Sequence, residues 1–377
     1  MSALYIHIPF CTQRCIYCDF HSGTDLSFRS RYISSLCSEI GEYASFFNKK
    51  PIRTIYLGGG TPSLLSLDEL KIIFQKIEST WDITHLQECT IECNPDDITE
   101  NWLNGLRAFP INRISIGVQS FVDSELKWLN RRHNAAQAIE AVKLAKKAGF
   151  DNISIDLIYS LPIQTIDSLK YSLDVISQLD VQHLSAYTLM YEEGSKLTKL
   201  MLKNQLKPLD DEVSVQMFEL VVGELKNEGF ERYEISNYSK SGYKSKHNST
   251  YWQSEPYLGI GAAAHSFDEV NRFFNIANTL QYCELIEQGR VSEISTVEYL
   301  TDEERFNDYI FTALRTSDGL NLETVLDRFG EEKRDYVAKI SAPYINNMSM
   351  VKIDNRLIIT DKGLPISDAI MSDFMLV

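Results

Sequence analysis

The chain has 377 residues, 44% hydrophobic and 24% charged, with 37 basic against 52 acidic side chains and a net charge of -15. A chain of this length buries a large core and predicts one big domain with a smaller one beside it. Its Lys and Arg are scattered, which with the acidic balance argues against a nucleic-acid partner, and no run of 18 apolar residues could span a membrane. A basic stretch followed by an apolar one is missing from the N-terminus, so no secretory signal is expected. Seven cysteines without a paired framework fit a reducing cytoplasm.

In chain order, an apolar run at residues 4–8 predicts the first strand, and Cys11, Cys15 and Cys18 follow it at CxxxCxxC spacing. Three thiolates within eight residues can converge from one loop on a metal centre. They are one short of the four that a closed iron–sulfur cube or a structural zinc site takes from protein. An incomplete set leaves one metal position open to a small molecule, which points to a cluster that does chemistry. A zinc site completed by His7, Asp19 or His21 is the alternative, although 3-then-2 spacing is not the usual CxxC knuckle. Cys37 and Cys89 read as small core residues, while Cys93, on a strand end near the site, is a weaker candidate for a role.

Further strands are expected at residues 54–57, 90–93, 113–118, 153–158 and 183–189, and helical periodicity at 28–46, 67–77, 125–129 and 135–148, the last closed by Gly149. Continuously apolar strands alternating with helices predict a parallel sheet covered on both faces. Six such units predict an α/β fold, a partial (β/α)6 TIM-type barrel with the cysteine loop on its C-terminal rim. The other strand ends should then carry unusual residues, and they do. Strand two runs into Gly58-Gly59-Gly60-Thr61-Pro62, strand three ends at Glu92 with Asn94-Pro95 behind it, and strand four at Gly117-Val118-Gln119-Ser120. Strand five carries Asp156, and strand six leads into Tyr187-Thr188. Glycines let backbone approach a ligand closely, Glu92 and Asp156 can accept from ammonium or ribose hydroxyls, and Gln119 and Arg131 can reach hydroxyl and carboxylate groups.

The cysteine segment resembles the cluster motif of the radical S-adenosylmethionine enzymes. Over nearly the whole chain the sequence is similar to one branch of them, which holds the oxygen-independent coproporphyrinogen III oxidases and the heme chaperones. The motifs that carry the resemblance are YIHIPFC (5–11), GGGTPS (58–63), IECNP (91–95), GVQSF (117–121), NRRH (130–133) and IDLIYSLP (155–162). It implies a [4Fe-4S] cluster on Cys11, Cys15 and Cys18, with S-adenosylmethionine chelating the fourth iron. The cosubstrate contacts it implies fall on Tyr5, Tyr17, Gly59, Gly60, Thr61, Glu92, Gln119, Arg131 and Asp156. Two features favour the chaperone side over the oxidase: Phe20 stands where the oxidases carry a further cysteine, and the oxidases' N-terminal extension is missing. No coproporphyrinogen III oxidase activity is therefore expected.

Beyond the sixth strand a helix is expected at 210–229, then an aromatic- and Ser-rich connection at 233–257. Inside it, HNSTYW (247–252) resembles the HNxxYW heme-binding signature of the chaperones, with His247 as an imidazole for heme iron and Tyr251 and Trp252 covering a porphyrin face. Residues 258–267 are rich in small side chains and should pack against the barrel's open side; His265 there is a weaker heme candidate. From about residue 301, helices at 301–314, 322–329 and 332–346, a hairpin at 350–360 and a last helix from 361 predict a small α+β winged-helix-like domain. The expected division is 1–295 for the barrel with its connection and 296–377 for the small domain. That domain lacks the charge to bind DNA and reads as a lid or partner surface. Heme and heme-acceptor proteins are the expected partners; whether two chains pair as a homodimer is left open.

Overall fold

The structure, a computed structural model, describes residues 2–376. Six β/α repeats form its frame: β1 (Ala3–Ile8) and α1 (Arg29–Glu42), β2 (Thr54–Gly59) and α2 (Leu67–Thr80), β3 (Glu88–Cys93) and α3 (Glu100–Leu106). Then come β4 (Arg113–Gln119) with α4 (Asp123–Trp128) and α5 (Ala135–Lys147), β5 (Asn152–Tyr159) with α6 (Ile166–Leu179), and β6 (His183–Thr188). The six strands pair in sequence order and all in parallel. The helices start on side-chain caps where the sequence supplies them. Ser66 and Glu69 close a capping box at α2, as do Thr165 and Ser168 at α6, each such cap contributing about 1 kcal/mol.

The strands are not apolar on both faces, as had been expected. On β1 to β6 the outward residues, such as Leu4, Ile6, Ile55, Leu57, Ile91, Ile114, Ile153 and Leu184, are fully buried against the helices and form one continuous core. Every second residue points the other way, and these are polar: Thr54 and Tyr56, Glu88 and Glu92, Arg113 and Ser115, Ser154 and Asp156, His183 and Ser185. Most are buried too, so a count of buried positions hides the alternation. The interior of a (β/α) barrel is ordinarily packed with branched apolar side chains. Here it is a polar well.

After β6 follow α7 (Lys196–Leu202), α8 (Asp211–Asn227), β7 (Glu231–Arg232), β8 (Asn237–Ser239) and α9 (Lys246–Trp252). Next are β9 (Tyr257–Ile260), β10 (His265–Phe267), β11 (Arg272–Asn275), α10 (Thr279–Glu287) and β12 (Ser295–Glu298). The full sheet runs β12-β11-β10-β9-β1-β2-β3-β4-β5-β6-β8-β7. Residues 258–260 do meet the open side of the barrel, as part of β9, a seventh parallel strand on the free edge of β1. Glu39 of α1 ties this extension down, accepting from Gly261 N (2.8 Å), Asn275 Nδ2 (2.6 Å) and Tyr282 Oη (2.5 Å).

The small domain comprises α11 (Asp302–Leu314), β13 (Leu320–Asn321), α12 (Leu322–Asn346), the hairpin β14 (Met350–Ile353) and β15 (Arg356–Ile359), and α13 (Ser367–Asp373). Its three strands and helices enclose a separate core around Phe306, Ile310, Leu357 and Phe374. Within Leu322–Asn346 the backbone leaves the helical region at Gly330 (φ 87°, ψ 177°), which separates two helices where the sequence predicts them, before and after that glycine. Because β12 belongs to the large sheet, the expected division after residue 295 falls inside a strand of the barrel domain.

Candidate functional site

The cysteine loop leaves β1 at the rim. It is closed by Cys11 N–H donating to Gly23 O (2.9 Å) and Gly23 N–H to Pro9 O (2.8 Å). On its other flank it docks on residues 129–131: Ile16 N–H donates to Leu129 O (3.3 Å), Asn130 Nδ2 to Arg14 O (2.8 Å), and Gln13 Nε2 to Asn130 O (2.8 Å). Two further side chains reach the sulfurs. Thr61 Oγ1 donates to Cys11 Sγ at 3.4 Å, and Arg131 Nη1 to Cys15 Sγ at 3.2 Å. Burial, reinforced by Cys15 and Cys11, pushes the Cys18 thiol up to about 11.

All three cysteines line a cleft of about 420 Å³ that descends from the rim into the barrel, and all are free thiols. Among the described residues no three His, Cys, Asp or Glu side chains converge on one ion-sized point. Three thiols on one loop at the mouth of a cleft are a donor set that suits an iron–sulfur cluster.

Below the cysteines the polar strand residues form the wall. Glu92 accepts from Tyr56 Oη (2.8 Å) and from Gly59 N–H (3.0 Å), which orients its carboxylate across the cleft. Burial raises the Glu92 carboxyl to about 7, with Asp156 adding to the rise and the Tyr56 hydrogen bond opposing it. Asp156 is raised by burial as well, against the hydrogen bonds of Ser185 and Ser115. Gln119 reaches the cleft through a register shift between β4 and β5 that leaves it at φ 69°. Gly59 has φ 110°, and a Cβ there would lie 2.5 Å from the His7 ring; one on Gly60 would meet Phe10 O at 2.7 Å. These glycines are thus needed for the close seating of the cysteine loop on β2, as well as for openness toward a ligand.

Of the nine cosubstrate positions expected from sequence, Tyr17, Gly59, Gly60, Thr61, Glu92, Gln119, Arg131 and Asp156 line this cleft. Tyr5 sits one layer behind, its ring stacked on Tyr56 at 6.1 Å and its hydroxyl bonded to His7 Nδ1 at 3.1 Å. Arg131 is more committed than expected. Its Nη2 donates to Asn94 Oδ1 and Gly117 O, both at 2.6 Å, leaving a buried Nε without a partner. Sequence reasoning missed Tyr56, Arg113, Ser115 and Ser185. Their period-two polar pattern along β2, β4 and β6 was the available signal.

His247 lies inside the fold in this structure. It is 0% exposed, with Nδ1 bonded to Thr54 Oγ1 (2.9 Å) and Nε2 to Tyr251 Oη (2.8 Å), so neither ring nitrogen is free for iron. Burial, with Arg113 nearby, lowers it to about 3. Glu88 holds the helix start, accepting from Lys246 N–H and His247 N–H at 2.9 Å each. Tyr251 packs edge-on against Tyr257 at 4.7 Å, and Trp252 is covered by the Arg315 guanidinium at 4.6 Å. Of the motif, Asn248 alone lines the cleft. In this packing α9 is a strut between the barrel floor and the small domain.

Residues 5–176 match the model of the Radical SAM superfamily. The heme chaperone HemW of Lactococcus lactis subsp. lactis (strain IL1403) is 33% identical over 380 residues, covering 100% of this chain and 97% of its own. The chain belongs to the HemW family. A second HemW, from Bacillus subtilis (strain 168), is 35% identical over 332 residues, 88% of this chain and 87% of its own. Among solved structures, coproporphyrinogen III oxidase (HemN) from Escherichia coli superposes with a TM-score of 0.85 over 99% of this chain and 89% of that one. At 21% identity that likeness shows the fold. Radical SAM membership brings with it a [4Fe-4S] cluster and S-adenosylmethionine, for which the cleft has the donor set. Among the described residues no helix is long and apolar enough to cross a membrane.

Proposed function

We propose that this chain is a heme chaperone, a protein that holds heme and passes it to acceptor proteins, with the cluster and S-adenosylmethionine seated in the barrel cleft. The observation that carries the reading is a family relationship that runs over the entire chain, small domain included. Phe20, 62% exposed on the cleft where the oxidases carry a further cysteine, points the same way. Seven cysteines with no disulfide among them fit a reducing cytoplasm as its setting.

When bound, the cluster and its cosubstrate supply one-electron chemistry at a sulfonium. The chain's own part is positioning. Cys11, Cys15 and Cys18 would ligate three irons, and Thr61 and Arg131 stabilise two of those sulfurs as thiolates by donating to them. Glu92, held by Tyr56 and Gly59, and Asp156, held by Ser115 and Ser185, offer acceptors to the ammonium and ribose hydroxyls of S-adenosylmethionine. Heme ligation by His247 requires α9 to come away from β2 first.

The test is anaerobic reconstitution with hemin and S-adenosylmethionine, followed by spectra and an assay for protoporphyrinogen IX made from coproporphyrinogen III. A hemin Soret band, transfer of heme to an apo-protein and no porphyrinogen product are expected. The oxidase is the second reading, favoured by the HemN fold, and accumulation of protoporphyrinogen IX would establish it in place of the first.

A further inference from the structure

Arg113 begins β4 and points into the barrel, where it is 1% exposed, and it lines the same cleft as Glu92 and Asp156. Its Nε and Nη1 are buried without a hydrogen-bond partner, and so is Thr90 Oγ1 on the neighbouring rung of β3. A buried guanidinium without direct partners is costly, so its retention needs a compensating interaction. The pairing register supplies one. Ser115, two residues along β4 on the same face, is the partner of Glu92, which places the Arg113 charge beneath the carboxylates.

We infer that Arg113 is the buried counter-charge of the Glu92–Asp156 pair, and thereby a positioning residue for the cationic cosubstrate. The inference rests on the proposed S-adenosylmethionine site. The groups facing Glu92 are Tyr56 and Gly59, which bond it, the phenols of Tyr5, Tyr187 and Tyr251, the thiol of Cys93, and Asp156. Asp156 faces Ser115, Ser185, Tyr56, Tyr187 and Arg131 in addition. The cations that act on the pair are Arg131, which is tied to Cys15, Asn94 and Gly117, and Arg113, whose Nε and Nη1 make no hydrogen bond. Arg113 therefore opposes the burial that drives both carboxyls toward their neutral forms. A neutral carboxyl presents a proton where the ligand also brings donors and positive charge.

The experiment measures S-adenosylmethionine binding to the anaerobically reconstituted full chain between pH 6 and 9, by calorimetry, for wild type, R113M, R113K and E92Q. Loss of the Arg113 charge raises the Glu92 carboxyl further above its wild-type value of about 7. R113M should then bind about two- to five-fold more weakly than wild type at pH 7 and roughly equal to it by pH 9. Dividing each variant's affinity by the wild type's at the same pH cancels titration of the ligand itself. R113K, which keeps the charge, should follow the wild-type profile. A deficit in R113M that is the same at every pH would overturn the inference, as would an R113K profile shifted like that of R113M. If R113M does not fold, R113K decides the matter alone by the same criterion. E92Q separates the two failures: unchanged affinity there removes the cosubstrate site itself, whereas lost affinity with pH-independent Arg113 effects removes only the counter-charge.

Discussion

Replacing His247 with alanine tests whether the HNxxYW segment is a strut or an open ligand. The imidazole is fully buried, bonds to Thr54 and Tyr251, and stands 5.1 Å from the Tyr56 ring. Removing it takes away two hydrogen bonds of about 1 kcal/mol each and strands two buried hydroxyls. The void under Tyr56 adds to this, for a total of about 3–4 kcal/mol. For a chain of 377 residues that is a fall in melting temperature of roughly 4–5 °C. The assay is differential scanning fluorimetry of protein without heme, so that no ligand contributes. Thr54→Val in a double-mutant cycle should show non-additivity of at least about 0.5 kcal/mol, because the two residues share one bond. A variant that melts within about 1 °C of wild type while losing the hemin Soret shift would refute the strut and make His247 an accessible ligand.

Cys15→Ser should lose most of the iron that wild type retains after anaerobic reconstitution, measured by colorimetric iron analysis, and Arg131→Ala should lose iron faster than wild type on dilution because Cys15 then lacks its donor. Gly59→Ala forces a side chain to φ 110° and to within 2.5 Å of His7, so its thermal midpoint should drop even without ligand. Glu39, raised to about 7 by burial despite its three hydrogen bonds, contributes a pH-dependent term of known sign. Its proton is held more tightly in the folded chain than in the unfolded one, so this contribution is largest at acid pH and is lost as pH rises through 7. The stability of wild type relative to E39Q should therefore be higher at pH 5 than at pH 8 in urea titrations, and a flat or reversed difference would discount Glu39.

The fold was largely legible because β/α alternation writes itself into the sequence as apolar runs between 3.6-period stretches. The six barrel strands, the hairpin and the helices of the small domain before it all lie within a few residues of where periodicity put them. What was not legible were strands of two to four residues, β7 to β12, too short to show a period and held by long-range partners such as Glu39 with Gly261. For the site, motif residues at strand ends were readable, since a glycine run or a lone carboxylate after an apolar run is conspicuous. The inner-wall residues were harder to see, because Arg113 or Ser115 inside an apolar run looks like noise until the face it belongs to is known. His247 is the reverse case. A recognisable motif fixed attention on its chemistry, while the sequence carries no sign that Thr54, 193 residues away, occupies its ring nitrogen.

The division of labour along each strand constrains how this barrel can change. The outward half of β1 to β6 meets helices through shape and oiliness alone, so Ile, Leu and Val should exchange there with little consequence beyond packing. The inward half is a different alphabet on the same ribbon, where a single swap alters the charge or proton inventory of one shared chamber. Random substitutions across these strands should therefore give a sawtooth of tolerance, one residue forgiving and the next not. Drift in such a lineage can refashion its scaffold while leaving the lumen almost untouched.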